Sequence, residues 1–357
     1  MKTNTRPVVS RPTQGFSLPE LMVAITIGLI ILAAVSTVFV TSRANYTSQE
    51  SLARLQESAR IAISLVTRDL RMAGFYGCPD HTQNMNSVLS PTAGVAYNFS
   101  VPIEGVEGDT GTLLPSNVAA AFPVAGTAVT AILAKCPNFV GGKCTGTDAV
   151  AIRTSDPATL APVSTAMNSS SADVVVSTTT GIVAGDIVVV FDCGGADLVK
   201  ATAVSNASGP AIIHGTGGSP ANQSNSLNRT YAPPGGQIAK YVNRMYYVGT
   251  GISGYPTLFR QNIDGSSREE LIEGIQDLQI TYGVASAATD RTPRAYLLAN
   301  DGNLGASLPN WTKVVSAQLT LTSMAVNTTN PSAPVNASSP DIKPKQFTST
   351  ILLRNLQ

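Results

Sequence analysis

The sequence predicts an α+β protein in which one very long N-terminal helix is followed by a β-rich antiparallel head. Three observations predict it. Residues Leu21–Val40 run LMVAITIGLIILAAVSTVFV without a charge. From Leu52 to Ala73 apolar residues then recur at helical spacing, with no helix breaker before Gly74. Beyond Cys78 that periodicity disappears, and Gly, Pro, Ser, Thr and Asn divide the chain into short runs, several of which alternate as half-buried strands do.

Twenty uncharged residues match the length a helix needs to cross the apolar core of a bilayer. Lys2, Arg6 and Arg11 precede them without an acid, so the start stays cytoplasmic and the bulk is exported. An ordinary secretory signal is cut after its apolar stretch at small residues. Here the better cut site lies before it, in Gln14-Gly15-Phe16-Ser17-Leu18-Pro19-Glu20. Glu20 is out of place at the edge of an apolar span, where a carboxylate costs on the order of a few kcal/mol unless it finds a partner. Pro19 is tolerable in a first helical turn, where its missing N–H would have no helical acceptor. Gly28, mid-span, costs about 1 kcal/mol relative to Ala.

Leu52, Leu55, Ala59, Ala62, Val66, Leu70 and Ala73 form one apolar stripe, with Arg43, Gln49, Glu57, Arg60, Arg68 and Asp69 mainly off it. A continuous helix from Phe16 to Ala73 would reach about 87 Å at 1.5 Å per residue. The expected organisation is a leader over residues 1–15 and a helix over 16–74, membrane-spanning over 18–40 and amphipathic over 43–73. A β-rich periplasmic head follows over 75–357, within which 79–236 is an insertion or a second lobe. In the head, Val315, Ala317, Leu319 and Leu321 alternate with polar residues, Leu278, Ile280 and Tyr282 share a parity, and so do Phe347, Ile351 and Leu353. Ile187–Phe191 and Lys240–Val248 are further strands, Glu269–Ile275 a helical turn, and Gly215–Ser226 and Asn327–Lys345 loops.

The charged fraction is only 13 %, and without the three leader cations the chain carries two more acids than bases, so nothing electrostatic points to nucleic acid. Cys78, Cys136, Cys144 and Cys193 include no CxxC pair, and two histidines do not support a zinc site. Two disulfides in an oxidising compartment fit better. Of three connectivities, Cys136–Cys144 across the Gly141-Gly142 loop is favoured, which leaves Cys78–Cys193. His81 and His214 are isolated; Gly141-Gly-Lys-Cys144 lacks the spacing of a phosphate loop; Asp192, Asp197, Asp264 and Asp301 sit beside glycines without a calcium-loop pattern. No catalytic residue, metal or cofactor is assigned.

The segment GFSLPELMVAITIGLIIL resembles the class III signal of type IV pilins and type II secretion pseudopilins nearly residue for residue, although major pilins more often carry an aliphatic residue where Pro19 stands. The run Arg68-Asp-Leu-Arg-Met-Ala-Gly-Phe-Tyr-Gly-Cys78 resembles the junction of PilW-family minor pilins. So do Leu271-Ile-Glu-Gly-Ile-Gln-Asp-Leu-Gln-Ile-Thr-Tyr-Gly283, Trp311 before a strand, and Phe347-Thr-Ser-Thr-Ile-Leu-Leu-Arg-Asn355. The resemblance implies a pilin-like fold, cleavage by the prepilin peptidase between Gly15 and Phe16, and N-methylation of Phe16. It also implies pairing of Glu20 with a neighbouring subunit's terminal amine. The expected partners are the peptidase, other minor pilins, the major pilin and a tip adhesin, with the inner membrane as site before incorporation into a pilus. The expected role is in a tip or initiation complex that primes assembly. A J-type pseudopilin of type II secretion is the nearest rival, and a signal-anchored periplasmic binding protein or adhesin the rival of another class.

Overall fold

A computed structural model describes residues 15, 17–77, 84–90, 97–108, 139–140, 143–144, 146–179, 181–206, 209–263, 267–287, 290–299, 301, 304, 311–326 and 343–353; for 139–140 and 143–144 it describes the backbone alone. The chain divides into two compact units, Met1–Leu52 and Ala53–Gln357.

Helix α1 runs Leu18–Arg71. It is shorter than the expected Phe16–Ala73 by two residues at each end. Ser17 caps its start, where the Leu21 N–H reaches the Ser17 carbonyl at 3.2 Å. At the other end the 72–74 turn closes on Gly74 at φ +72°, a left-handed conformation that only glycine adopts cheaply.

In the first unit, Leu21, Ile25, Leu29, Leu32, Val35 and Phe39 are all exposed, as are the residues on the helix's other faces. The hydroxyls in this span turn back on the helix itself. Thr26 donates to the Val23 carbonyl at 2.9 Å, Ser36 to Leu32 at 2.7 Å and Thr37 to Ala34 at 2.8 Å. A span whose polar groups are satisfied internally is what a hydrocarbon environment requires.

In the second unit the stripe is buried: Leu55, Ala59, Ala62, Val66 and Leu70 are 0–2 % exposed. Ala62, Val66, Leu70 and Ala73 share one core with residues of two sheets. The first sheet, nine-stranded among the described residues, is organised around β12 (Gln237–Thr250). One edge of β12 pairs β5 (Ala149–Ser155) and then β6 (Ala161–Pro162). The other pairs β8 (Ile187–Asp192) at Gln237–Lys240 and β13 (Pro256–Gln261) at Met245–Thr250. β2 (Ile103–Val106) extends the sheet beyond β5, β9 (Gly195–Lys200) and β1 (Met85–Ser87) beyond β8, and β14 (Arg268–Glu273) beyond β13. The β1–β9 pair is parallel and the rest are antiparallel.

The second sheet has the order β16 (Ala295–Leu297), β15 (Ile275–Val284), β17 (Val314–Ser323), β18 (Lys345–Leu352). A three-stranded sheet joins β7 (Val174–Val175), β10 (Ala203–Ser205) and β11 (Ala211–Ile213), and β3 (Phe139–Val140) forms a hairpin with β4 (Lys143–Cys144). The continuous apolar run of β8 has a clear cause. Val188 and Val190 enter one core and Val189 and Phe191 another, so both faces are covered.

The strands expected at Leu278–Tyr282, Val315–Leu321, Ile187–Phe191 and Lys240–Val248 lie within β15, β17, β8 and β12. The helical turn expected at Glu269–Ile275 is corrected: Arg268–Glu273 is strand β14, and Gly274, at φ +82°, turns the chain into β15. The strand is held by its neighbour: Glu269 takes Arg260 of β13 across the ladder at 2.6 Å. Of the two loop tracts, Gly215–Ser226 is irregular chain, and residues 327–342 of the second lie outside the described residues.

Candidate functional site

Gly15 is exposed and non-helical, before the first helical turn, and among the described residues nothing lies within 4 Å of where its Cβ would stand. Phe16 lies outside the described residues. The Glu20 carboxylate reaches back along the helix: Oε2 accepts from the Ser17 N–H at 3.4 Å and from the Ser17 hydroxyl at 3.2 Å. Ser-x-x-Glu is a helix-start pattern that sequence reasoning missed here, though the spacing alone carries the signal. Chemically, an acid sits at the positive end of a helix dipole, aimed at the backbone one residue beyond Phe16. A cation at that terminus would meet a carboxylate already turned toward it.

Within the second unit a different set of residues fixes the end of α1. Asp69 is 7 % exposed; its Oδ2 accepts from the Tyr246 hydroxyl at 2.7 Å and from Arg244 at 2.8 Å. Burial, and then the Asp69 charge, push the Tyr246 phenol well above its ordinary value, so it stays a donor. Asp69 stands off the apolar stripe, yet it is buried because β12 brings it two donors.

Past the helix, residues 72–77 lie along the end of β5. The Thr154 hydroxyl donates to the Met72 carbonyl at 2.7 Å, the Gly74 N–H to the Arg153 carbonyl at 2.9 Å, and the Ser155 N–H and hydroxyl to the Phe75 carbonyl at 2.9 and 2.6 Å. Beneath them Arg153, fully buried, pairs with Glu104 at 2.9 Å and donates to the Val101 carbonyl at 2.8 Å. Gly77 lies against the Phe191 ring, closely enough that a Cβ would fall within 2.7 Å of three ring carbons. Two residues past Phe191, in the β8–β9 turn, Cys193 is disulfide-bonded. Cys78 and Cys136, and the side chain of Cys144, lie outside the described residues.

The remaining candidates serve the fold. His214 is buried with Nε2 at 2.9 Å from the Ala172 carbonyl; His81 lies outside the described residues. Val140 pairs with Lys143 across Gly141-Gly142. Asp192 takes Arg229 at 3.2 Å, and Asp197 accepts from the Tyr231 hydroxyl at 2.8 Å. Asp264 lies outside the described residues, and the Asp301 backbone turns onto Leu298 and Leu304. Among the described residues no three His, Cys, Asp or Glu side chains gather as a metal would need. A polar groove of about 850 Å³ runs beside β12 where β8 and β13 part. Its cations are neutralised in place, Lys240 by Asp186 at 2.7 Å, Arg260 by Glu269, and Arg244 by Asp69.

Two family models match the chain. Residues 10–36 match the prokaryotic N-terminal methylation motif, across Gly15, Phe16, Glu20 and most of the apolar span. Residues 245–355 match Type IV Pilus-assembly protein W, from within β12 through β18. No curated protein and no solved structure matches.

Proposed function

We propose that the chain is a type IV pilus minor pilin of the PilW type, held in the inner membrane by its N-terminal helix and incorporated into the pilus, and that it acts in the initiation or tip complex that primes assembly. Being a pilin, it is a structural component that the prepilin peptidase processes and that assembles with other pilins. In the proposed mechanism the peptidase cuts between Gly15 and Phe16, the new Phe16 amine is methylated, and Glu20 neutralises the amine of a neighbouring subunit. In an apolar surrounding each charge alone is costly, so their pairing favours the helix packed in a filament over the helix isolated in lipid.

The observation that carries this reading is the Glu20 carboxylate, which turns toward the terminus and away from the apolar faces of α1. The large β-rich head suits a subunit whose outer surface need not repeat along a filament. Deleting the gene should reduce surface pili, and the wild-type copy should restore them. A Glu20→Ala copy should be cut normally yet fail to restore them. Undiminished piliation in the deletion strain would remove the priming role.

A further inference from the structure

Two buried acids outside the assembly helix have no cation beside them among the described residues. Glu107, just past β2, is 6 % exposed, and both its carboxylate oxygens are buried without a hydrogen-bond donor. Asp148, just before β5, is 2 % exposed and stitches three segments together. Its Oδ1 accepts from the Gly108 N–H at 3.0 Å, its Oδ2 from the Ile280 N–H of β15 at 2.8 Å, and its own N–H donates to the Leu278 carbonyl at 2.7 Å. The Thr147 hydroxyl accepts from the Leu278 N–H at 3.2 Å beside it. These bonds join the β2–β5 edge of the nine-stranded sheet to the second sheet, and so the middle region to the part that matches the pilus-assembly family.

Among the described residues, the other charged or titratable groups facing the pair are Glu104, Arg153 and Tyr282. Glu104 is neutralised by Arg153. Tyr282, from β15, is fully buried with its hydroxyl unpartnered, and burial together with Asp148, Glu107 and Glu104 holds it far above its ordinary range, hence neutral. Two like charges in one dry site are strongly unfavourable, and a single proton between the carboxyls removes one charge and supplies the missing donor.

We propose that Glu107 and Asp148 share one proton, a clasp between the ends of β2 and β5 that keeps this edge buried against the second sheet. Burial first, and then the Glu107 charge, push the Asp148 carboxyl up to about 8, against the two backbone N–H groups that lower it. The sign follows from linkage. The folded state keeps a proton that the unfolded chain releases near the ordinary carboxylate value, so the clasp's contribution is full at acid pH. It declines as pH rises and is lost by about pH 8.

The test is denaturant unfolding of the detergent-solubilised full-length protein from about pH 5 to about pH 9, beside Glu107→Gln, whose amide donates to Asp148 without a charge. The wild-type midpoint should fall across that range, and the variant should hold a flatter midpoint and be the more stable at the alkaline end. Parallel pH profiles for the two proteins would overturn the clasp. Should the variant not fold, the infrared carbonyl band of a protonated carboxyl in the wild type decides: a band that persists at neutral pH and disappears near about pH 8 supports the shared proton, and its absence at about pH 6 refutes it. Calcium that restores the alkaline midpoint of the wild type would also refute it, in favour of a cation between the acids.

Discussion

The Tyr246 hydroxyl donates to Asp69 at 2.7 Å, and through that bond the last turn of α1 is fixed to the central strand of the head. Arg244, two residues earlier on β12, holds the same oxygen at 2.8 Å. A buried carboxylate between two donors positions the helix about its own axis, which the apolar stripe alone does not.

Asp69→Ala should therefore destabilise the head by about 2–3 kcal/mol, since it leaves a phenol and a guanidinium without their acceptor. Tyr246→Phe should cost about 1–2 kcal/mol. Arg244 is one-third exposed, so its share is the smaller. Urea midpoints of the two single variants and the double variant measure the coupling; strictly additive losses would mean that Asp69 and Tyr246 do not act together.

Gly77→Ala should be more damaging than its size suggests. The backbone there has φ +86°, and the added methyl would enter the Phe191 ring. A loss of at least about 2 kcal/mol is expected from strain and overpacking together. Unchanged thermal stability would mean that residues 72–77 do not hold this path in solution.

The contact of Gly77 with Phe191 brings the chain just before Cys78 beside the turn that carries Cys193. We expect peptide mapping without reductant to recover Cys78–Cys193 and Cys136–Cys144. Cys193→Ser should cost about 2–5 kcal/mol. Recovery of either alternative connectivity would remove the proposed tie between the helix junction and the β8–β9 turn.

Removing one partner of the buried pair, as in Arg153→Met, should cost about 3–5 kcal/mol because Glu104 is left charged and dry. Replacing both with apolar residues should recover much of that loss. Double-variant unfolding distinguishes the two cases: a double variant no more stable than Arg153→Met would contradict the cause given.

Most of the architecture is legible in the residues because period decides it. Leu55 to Leu70 repeat as one helix face, and Val315 to Leu321 alternate as a strand, so helix α1 and strand β17 are fixed locally. What is not legible depends on distant partners. Glu269–Ile275 reads as a helical turn until Arg260 of β13 stands across the ladder from Glu269, and nothing near Asp69 in sequence foretells that β12 delivers Tyr246 and Arg244 to it. The Glu107–Asp148 pair is invisible for the same reason: forty-one positions separate the two acids, and only the folding of β2 onto β5 brings them together. The processing segment is the opposite case, since Gly15, Phe16, Ser17 and Glu20 act within six residues. The Ser17–Glu20 cap could have been read from spacing alone.

In the proposed mechanism this chain is cut before its apolar helix and enters the pilus with a new charged terminus. Intact-mass and N-terminal peptide mass spectrometry of the protein from purified pili or inner membranes tests it most directly. The mature chain should begin at N-methylated Phe16. A chain that still begins at Met1, or that begins beyond Val40, would contradict it.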